Sequence, residues 1–127
     1  MEHGRLSPTP DAIAPDGSEI RLAGRVAGGS MVECTLPPGQ VTQAVRHRTV
    51  EELWLILFGH GEVWRSHGSG PGEVLTVGPS TWLTIPLGTH FQFRNPGREP
   101  LRFVIATLPS WPGPDEAVPV ANHWPVP

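Results

Sequence analysis

The chain has 127 residues, among them sixteen prolines, fifteen glycines, five tryptophans, one cysteine and no tyrosine. Its nine basic residues are all arginines, scattered among twelve acids for a net charge of −3, which leaves no basic stripe for nucleic acid. No run of eighteen apolar residues exists to cross a membrane, the first ten residues lack a basic-then-apolar leader, and a lone cysteine excludes an intrachain disulfide, so one cytoplasmic domain is expected.

Residues 1–17 hold Pro8, Pro10, Pro15 and Gly17 with little to bury, and read as a loose N-terminal arm. Ser18–Val26 predicts a first edge strand and Ser30–Leu36 a second, stopped by Pro37, Pro38 and Gly39. In the second, Val32, Cys34 and Leu36 form the core face, which makes Cys34 a small buried hydrophobe. Val41–Arg48 alternates so that His47 shares a side with Val45 while Arg46 and Arg48 point away.

The apolar run Leu53–Phe58 reads as a strand buried on both faces. Strict alternation places Glu52, Trp54, Ile56 and Phe58 on one side and Glu51, Leu53, Leu55 and Leu57 on the other. Glu52 is thus a carboxylate at the head of a buried strand, a costly placement without a hydrogen bond, a charge partner or a metal. Gly59-His60-Gly61 makes a tight reversal. Short strands follow at Glu62–Arg65, Glu73–Val77, Thr81–Ile85, Phe91–Arg94 and Leu101–Leu108, separated by glycine and proline turns. The proline-rich tail, residues 109–127, offers Trp111 and Trp124 for packing on the domain or on a partner. Eight to ten short strands in this order, with little helix, predict an all-β jelly-roll barrel over residues 18–108.

Two segments carry a family resemblance. Gly39, His47, Glu52 and Gly59 follow a pattern of glycine, five residues, His-x-His, three or four residues, glutamate, six residues and glycine, with Val45 in place of the first histidine. Gly78, Pro86, Gly88 and Asn95 follow in part a second pattern, Gly-x5-Pro-x-Gly-x2-His-x3-Asn. There Phe91 holds the histidine position, His90 comes one residue early, and the first spacing is longer by two. The chain resembles the cupins, which implies a double-stranded β-helix barrel.

In cupins with the full pattern, three histidines and a glutamate converge on divalent iron, manganese, nickel, copper or zinc. The resemblance implies His47 and Glu52 as survivors of that set, with Val45 and Phe91 unable to coordinate. The cofactor expected is none, or a weakly bound divalent transition metal on His47, Glu52 and, if a bulge turned it inward, His90. Without metal, His47 and Glu52 are the candidate acid/base groups. A histidine–tyrosine pair of the kind found in deoxysugar epimerases is disfavoured by the absence of tyrosine.

Trp54, Ile56, Phe58, Phe91 and Phe93 would either fill the barrel as core or line an apolar pocket. Trp64, Arg65, Gln92 and Arg94 fall on the opposite side, where a tryptophan beside arginines suits a subunit contact, and a homodimer is expected. Three functions compete. The first is a small-molecule-binding cupin with an incomplete metal sphere. The second is a metal-dependent dioxygenase, isomerase or lyase. The third is a structural cupin with a solid interior.

Overall fold

The computed structural model describes residues 1–127 and contains no helix, only eleven strands: β1 Ala12–Ile13, β2 Glu19–Val26, β3 Gly29–Leu36, β4 Val45–His47, β5 Glu51–Phe58, β6 Gly61–Ser66, β7 Glu73–Val77, β8 Trp82–Ile85, β9 His90–Arg94, β10 Leu101–Leu108 and β11 Ala117–Pro119. They form two antiparallel sheets. A six-stranded sheet has the order β1-β2-β3-β10-β5-β8, and a five-stranded sheet the order β11-β4-β9-β6-β7. The crossing order is that of a jelly-roll barrel, with the core between the inner faces.

Alternation along each strand selects that core. Leu101, Phe103, Ile105 and Thr107 of β10 point inward, as do Cys34 and Leu36 of β3 and Phe91 and Phe93 of β9. Trp54 stacks on Phe103 at 4.5 Å between ring centroids and meets Phe91 and Phe93 edge-on. Such offset and T-shaped pairs hold the aromatic centre of the sandwich. Gly59, which ends β5, has φ +80°, and a Cβ there would lie 2.2 Å from the Pro100 carbonyl oxygen. Only glycine fits that crossing.

Four expectations need correction. Strand β5 is buried on one face only: Leu53, Leu55 and Leu57 are 52%, 44% and 52% exposed. Phe58 is also exposed, because the β5–β10 register shifts so that Phe103 pairs with Ile56 and Arg102 with Phe58. The extra residue, Leu57, reverses the side on which Phe58 emerges. The leading arm is tethered rather than loose. Ala12 and Ile13 pair with Ile20 and Glu19, and Arg21 donates to the carbonyls of Ser7 and Pro8. Finally, the side carrying Trp64, Gln92 and Arg94 is covered by the chain's own tail. Gln92 is fully buried, donating to the carbonyls of Thr42 and Trp124 and accepting from the amides of His123 and Trp124. His123 stacks on Trp64, and Arg94 lies over the Trp124 ring.

Candidate functional site

His47 ends β4 of one sheet and Glu52 lies near the start of β5 of the other, so the sandwich brings them face to face. Both side chains are 6% exposed, and His47 Nδ1 stands 4.0 Å from Glu52 Oε2. That separation is beyond hydrogen-bond reach. Glu52 Oε1 accepts from Trp54 Nε1 at 3.0 Å and Oε2 from the Thr107 hydroxyl at 3.4 Å. The buried His47 Nδ1 has no partner. The imidazole is gripped by rings instead, edge-on to Phe91 at 5.3 Å and to Trp111 at 5.1 Å.

Burial pulls His47 down to about 4, with the Glu116 charge pulling weakly the other way. Burial lifts Glu52 to about 7 against its hydrogen bond from Trp54, with the Asp16 charge adding to the lift. Both shifts favour the uncharged pair, so the two groups are no ion pair at neutral pH. Burial also raises Asp16, and raises the Cys34 thiol well above its ordinary range, the Asp16 charge adding to the latter.

These groups lie on a cavity of about 580 Å³ that opens between the sheets. Val45, Trp54, Phe91, Phe93 and Ile105 supply apolar wall, and His47, Glu52, Asp16 and Thr107 the polar points. Residues 12–16 and Trp111 close two sides. The barrel interior is therefore hollow beside His47 and Glu52 and packed solid around Ile56, Phe93 and Phe103. Of the expected lining residues, Trp54, Phe91 and Phe93 border the cavity. Ile56 lies in the packed core away from it, and Phe58 faces outward.

His90 is likewise outside the site. It pairs with Ser66 on β6 and its ring lies by Gly68, on the side of β9 opposite Phe91. No bulge turns it inward, since β9 runs in regular register with β6 from Arg94 to His90. No third histidine, cysteine, aspartate or glutamate joins His47 and Glu52 in a group able to hold a metal ion. The donor set therefore does not fit the family's usual metal, which takes three or more protein ligands.

Sequence reasoning missed Asp16, Thr107 and Glu116. Burial works to raise the Glu116 carboxyl, but the Thr49 amide, the Thr49 hydroxyl and the Val50 amide together hold it below the ordinary range. It thereby pins the loop that joins His47 to Glu52. Nothing local signals this role: Glu116 sits in a proline-rich tail and meets the loop only because β11 pairs with β4.

The sequence profile of the cupin domain matches residues 32–107. The chain belongs to the cupin family. A segment of this cupin is 31% identical over 84 residues to the xanthan biosynthesis protein XanB of Xanthomonas campestris pv. campestris, covering 66% of the chain and 17% of that protein. An overlapping segment is 31% identical over 90 residues to a mannose-1-phosphate guanylyltransferase of Klebsiella pneumoniae, covering 71% of the chain and 18% of that protein. The chain thus spans less than a fifth of these curated relatives.

Among solved structures, a cupin 2 conserved barrel domain protein of Salinispora arenicola superposes with a TM-score of 0.69 at 17% identity, covering 84% of this cupin and 87% of the other. A variant of Streptomyces Pac13 with uridine superposes with a TM-score of 0.70 at 15% identity, covering 94% and 92%. At such identities the likeness is one of fold.

Proposed function

We propose that this cupin binds an uncharged, largely apolar ring compound and works without a tightly held metal, with Glu52 as proton donor and acceptor and His47 as its polar partner. The observation that carries this reading is the unpartnered His47 Nδ1 beside Glu52 at the wall of an apolar cavity. A carboxyl held near about 7 can give or take a proton at neutral pH. A neutral imidazole can accept a hydrogen bond from a ligand hydroxyl or donate one to a carbonyl. The reaction class this suits is proton transfer next to a carbonyl or hydroxyl group, as in isomerisation or elimination of water.

The cavity also argues about ligand charge. Its one permanently charged basic group is Arg25, exposed at the rim, whereas Asp16 and Glu52 lie deep. An anion would enter with no buried countercharge. A sugar phosphate, the class named in one relative, is therefore a poorer fit than a neutral ring.

Four probes test this: phenol, cyclohexanone, uridine and mannose 1-phosphate, followed by tryptophan fluorescence, since Trp54 and Trp111 border the cavity. At least one neutral probe is expected to bind about tenfold or more tighter than the phosphate. Glu52→Gln is expected to remove deuterium uptake at the carbon next to the carbonyl of bound cyclohexanone, read by proton NMR. Near-stoichiometric transition metal in protein purified without chelator, lost in both His47→Ala and Glu52→Ala, would overturn the metal-free reading.

A further inference from the structure

The register of the six-stranded sheet lays two rows of side chains across the floor of the cavity. In one, Trp54 of β5 stands opposite Ile105 of β10, Ile105 opposite Val32 of β3, and Val32 opposite Leu22 of β2. In the other, Glu52 stands opposite Thr107, Thr107 opposite Ser30, and Ser30 opposite Arg25. Every one of these residues borders the cavity. The first row is wholly apolar and the second wholly polar. An extra residue of β2 between Leu22 and Arg25 keeps the polar row intact, since unbroken pairing from Leu22 would set Gly24, not Arg25, opposite Ser30.

The apolar row is a ramp from the interior to water. Trp54 is 2% exposed, Ile105 6% and Leu22 61%, although Leu22 lies on the inner side of its sheet. The sandwich does not close there: β1 and β11 each end a sheet without pairing with one another, and Ile13 and Ala117 both border the cavity. The polar row offers hydrogen bonds along its length. Ser30 Oγ accepts from the Trp111 amide at 3.1 Å, which leaves its own proton to donate. Thr107 donates to Glu52 and keeps lone pairs to accept. Arg25, the only arginine on the cavity, ends the row at the rim.

Three strand spacings make each row about 14 Å long, and two residues along a strand set the rows about 7 Å apart. A single ring held at Glu52 touches only the inner ends of this frame. We propose that the ligand of the cavity is a flat, neutral compound of three linearly fused rings, with hydroxyl or carbonyl oxygens along one long edge and bare carbon along the other. It lies across the four strands, its oxygens over Thr107, Ser30 and Arg25 and its carbon edge over Ile105, Val32 and Leu22. One end ring reaches Glu52 and Trp54, and the other emerges between Arg25 and Leu22. An oxygen on the wrong edge would lie unpaired over the apolar row. This rests on the reading of the cavity as a site for neutral rings, and adds the length of the ligand and the edge that bears its oxygens.

Calorimetric titration of the full chain with phenol, 1,8-dihydroxyanthraquinone and 1,5-dihydroxyanthraquinone tests the proposal. The 1,8-isomer crowds its oxygens on one long edge, whereas the 1,5-isomer divides them evenly between both. In each the hydroxyl protons bond to the compound's own carbonyls, so the isomers differ in where their acceptors stand. The 1,8-isomer is expected to bind at least about tenfold tighter than the 1,5-isomer and at least about 100-fold tighter than phenol. Ser30→Ala is expected to narrow the gap between the isomers about threefold or more. Leu22→Ser is expected to weaken both isomers about three- to tenfold, and phenol less. Phenol bound as tightly as the 1,8-isomer would overturn the long ligand and leave the neutral-ring site standing. Equal affinity for the two isomers, or a gap untouched by Ser30→Ala, would overturn the oxygenated edge. No binding of phenol, cyclohexanone or either isomer would overturn the site itself and this proposal with it.

Discussion

His47 and Glu52 face each other across the cavity and titrate with opposite consequences for stability. Glu52 moves from an ordinary 4.5 up to about 7 on folding, so the folded chain holds a proton that the unfolded chain releases, and stability falls as pH rises between those values. His47 moves from 6.5 down to about 4, so the unfolded chain takes a proton first, and stability falls as pH drops between those values. From about 4.5 to 6.5 the two slopes oppose and nearly cancel. Single variants separate them. The stability of Glu52→Gln minus wild type should rise with pH from about 4.5 to 7, and that of His47→Gln minus wild type should fall from about 4 to 6.5. Each slope should approach about 1 kcal/mol per pH unit in urea unfolding. Parallel curves for all three proteins would contradict the buried, uncharged pair. His47 and Glu52 were legible as a pair because both lie on strands whose inward side the alternation sets. Asp16 and Thr107 were not, because a turn aspartate and a strand threonine carry no sign of what they face.

Among the elements, the strands were the readable part. Most boundaries between β5 and β10 follow from apolar alternation and from glycine, proline and asparagine in the turns. Two local features were hidden. The bulge at Leu57 depends on the register of β10, some forty-five residues on in sequence, and it removed Phe58 from the expected pocket. Strand β11 depends on an edge left free beside β4, and its sequence is too short and proline-rich to announce a strand. Glu116, just before it, accepts three hydrogen bonds from Thr49 and Val50. Glu116→Ala should cost about 2–4 kcal/mol and speed hydrogen exchange at the Thr49 and Val50 amides, while leaving β6 and β7 protected. Unchanged exchange at those two amides would show that the loop is held by other contacts.

For the molecule as a whole, the two sheets differ in how their outer sides are covered. One carries the tail, with Gln92 at the centre of its hydrogen bonds. The other carries Leu53, Leu55 and Trp82 uncovered. If a second copy supplies the missing cover, the melting temperature should climb with protein concentration, by mass action, and Leu55→Glu should abolish the climb without lowering the value at the lowest concentration. A melting temperature independent of concentration in the wild type would count against the paired state. The overall architecture was legible because a turn-rich chain of short strands has few ways to close. The assignment of outer faces was not, because a leucine looks the same whether its neighbour is a tail or another subunit.

The cavity draws its walls from segments on both flanks of the barrel strands, Ala12 to Asp16 before them and Trp111 to Ala117 after them. During translation the hollow therefore stays open until the last of these segments has left the ribosome and docked. A nascent chain can lay down most of its sandwich early, but it can capture no ligand until the segment from Trp111 to Ala117 has docked.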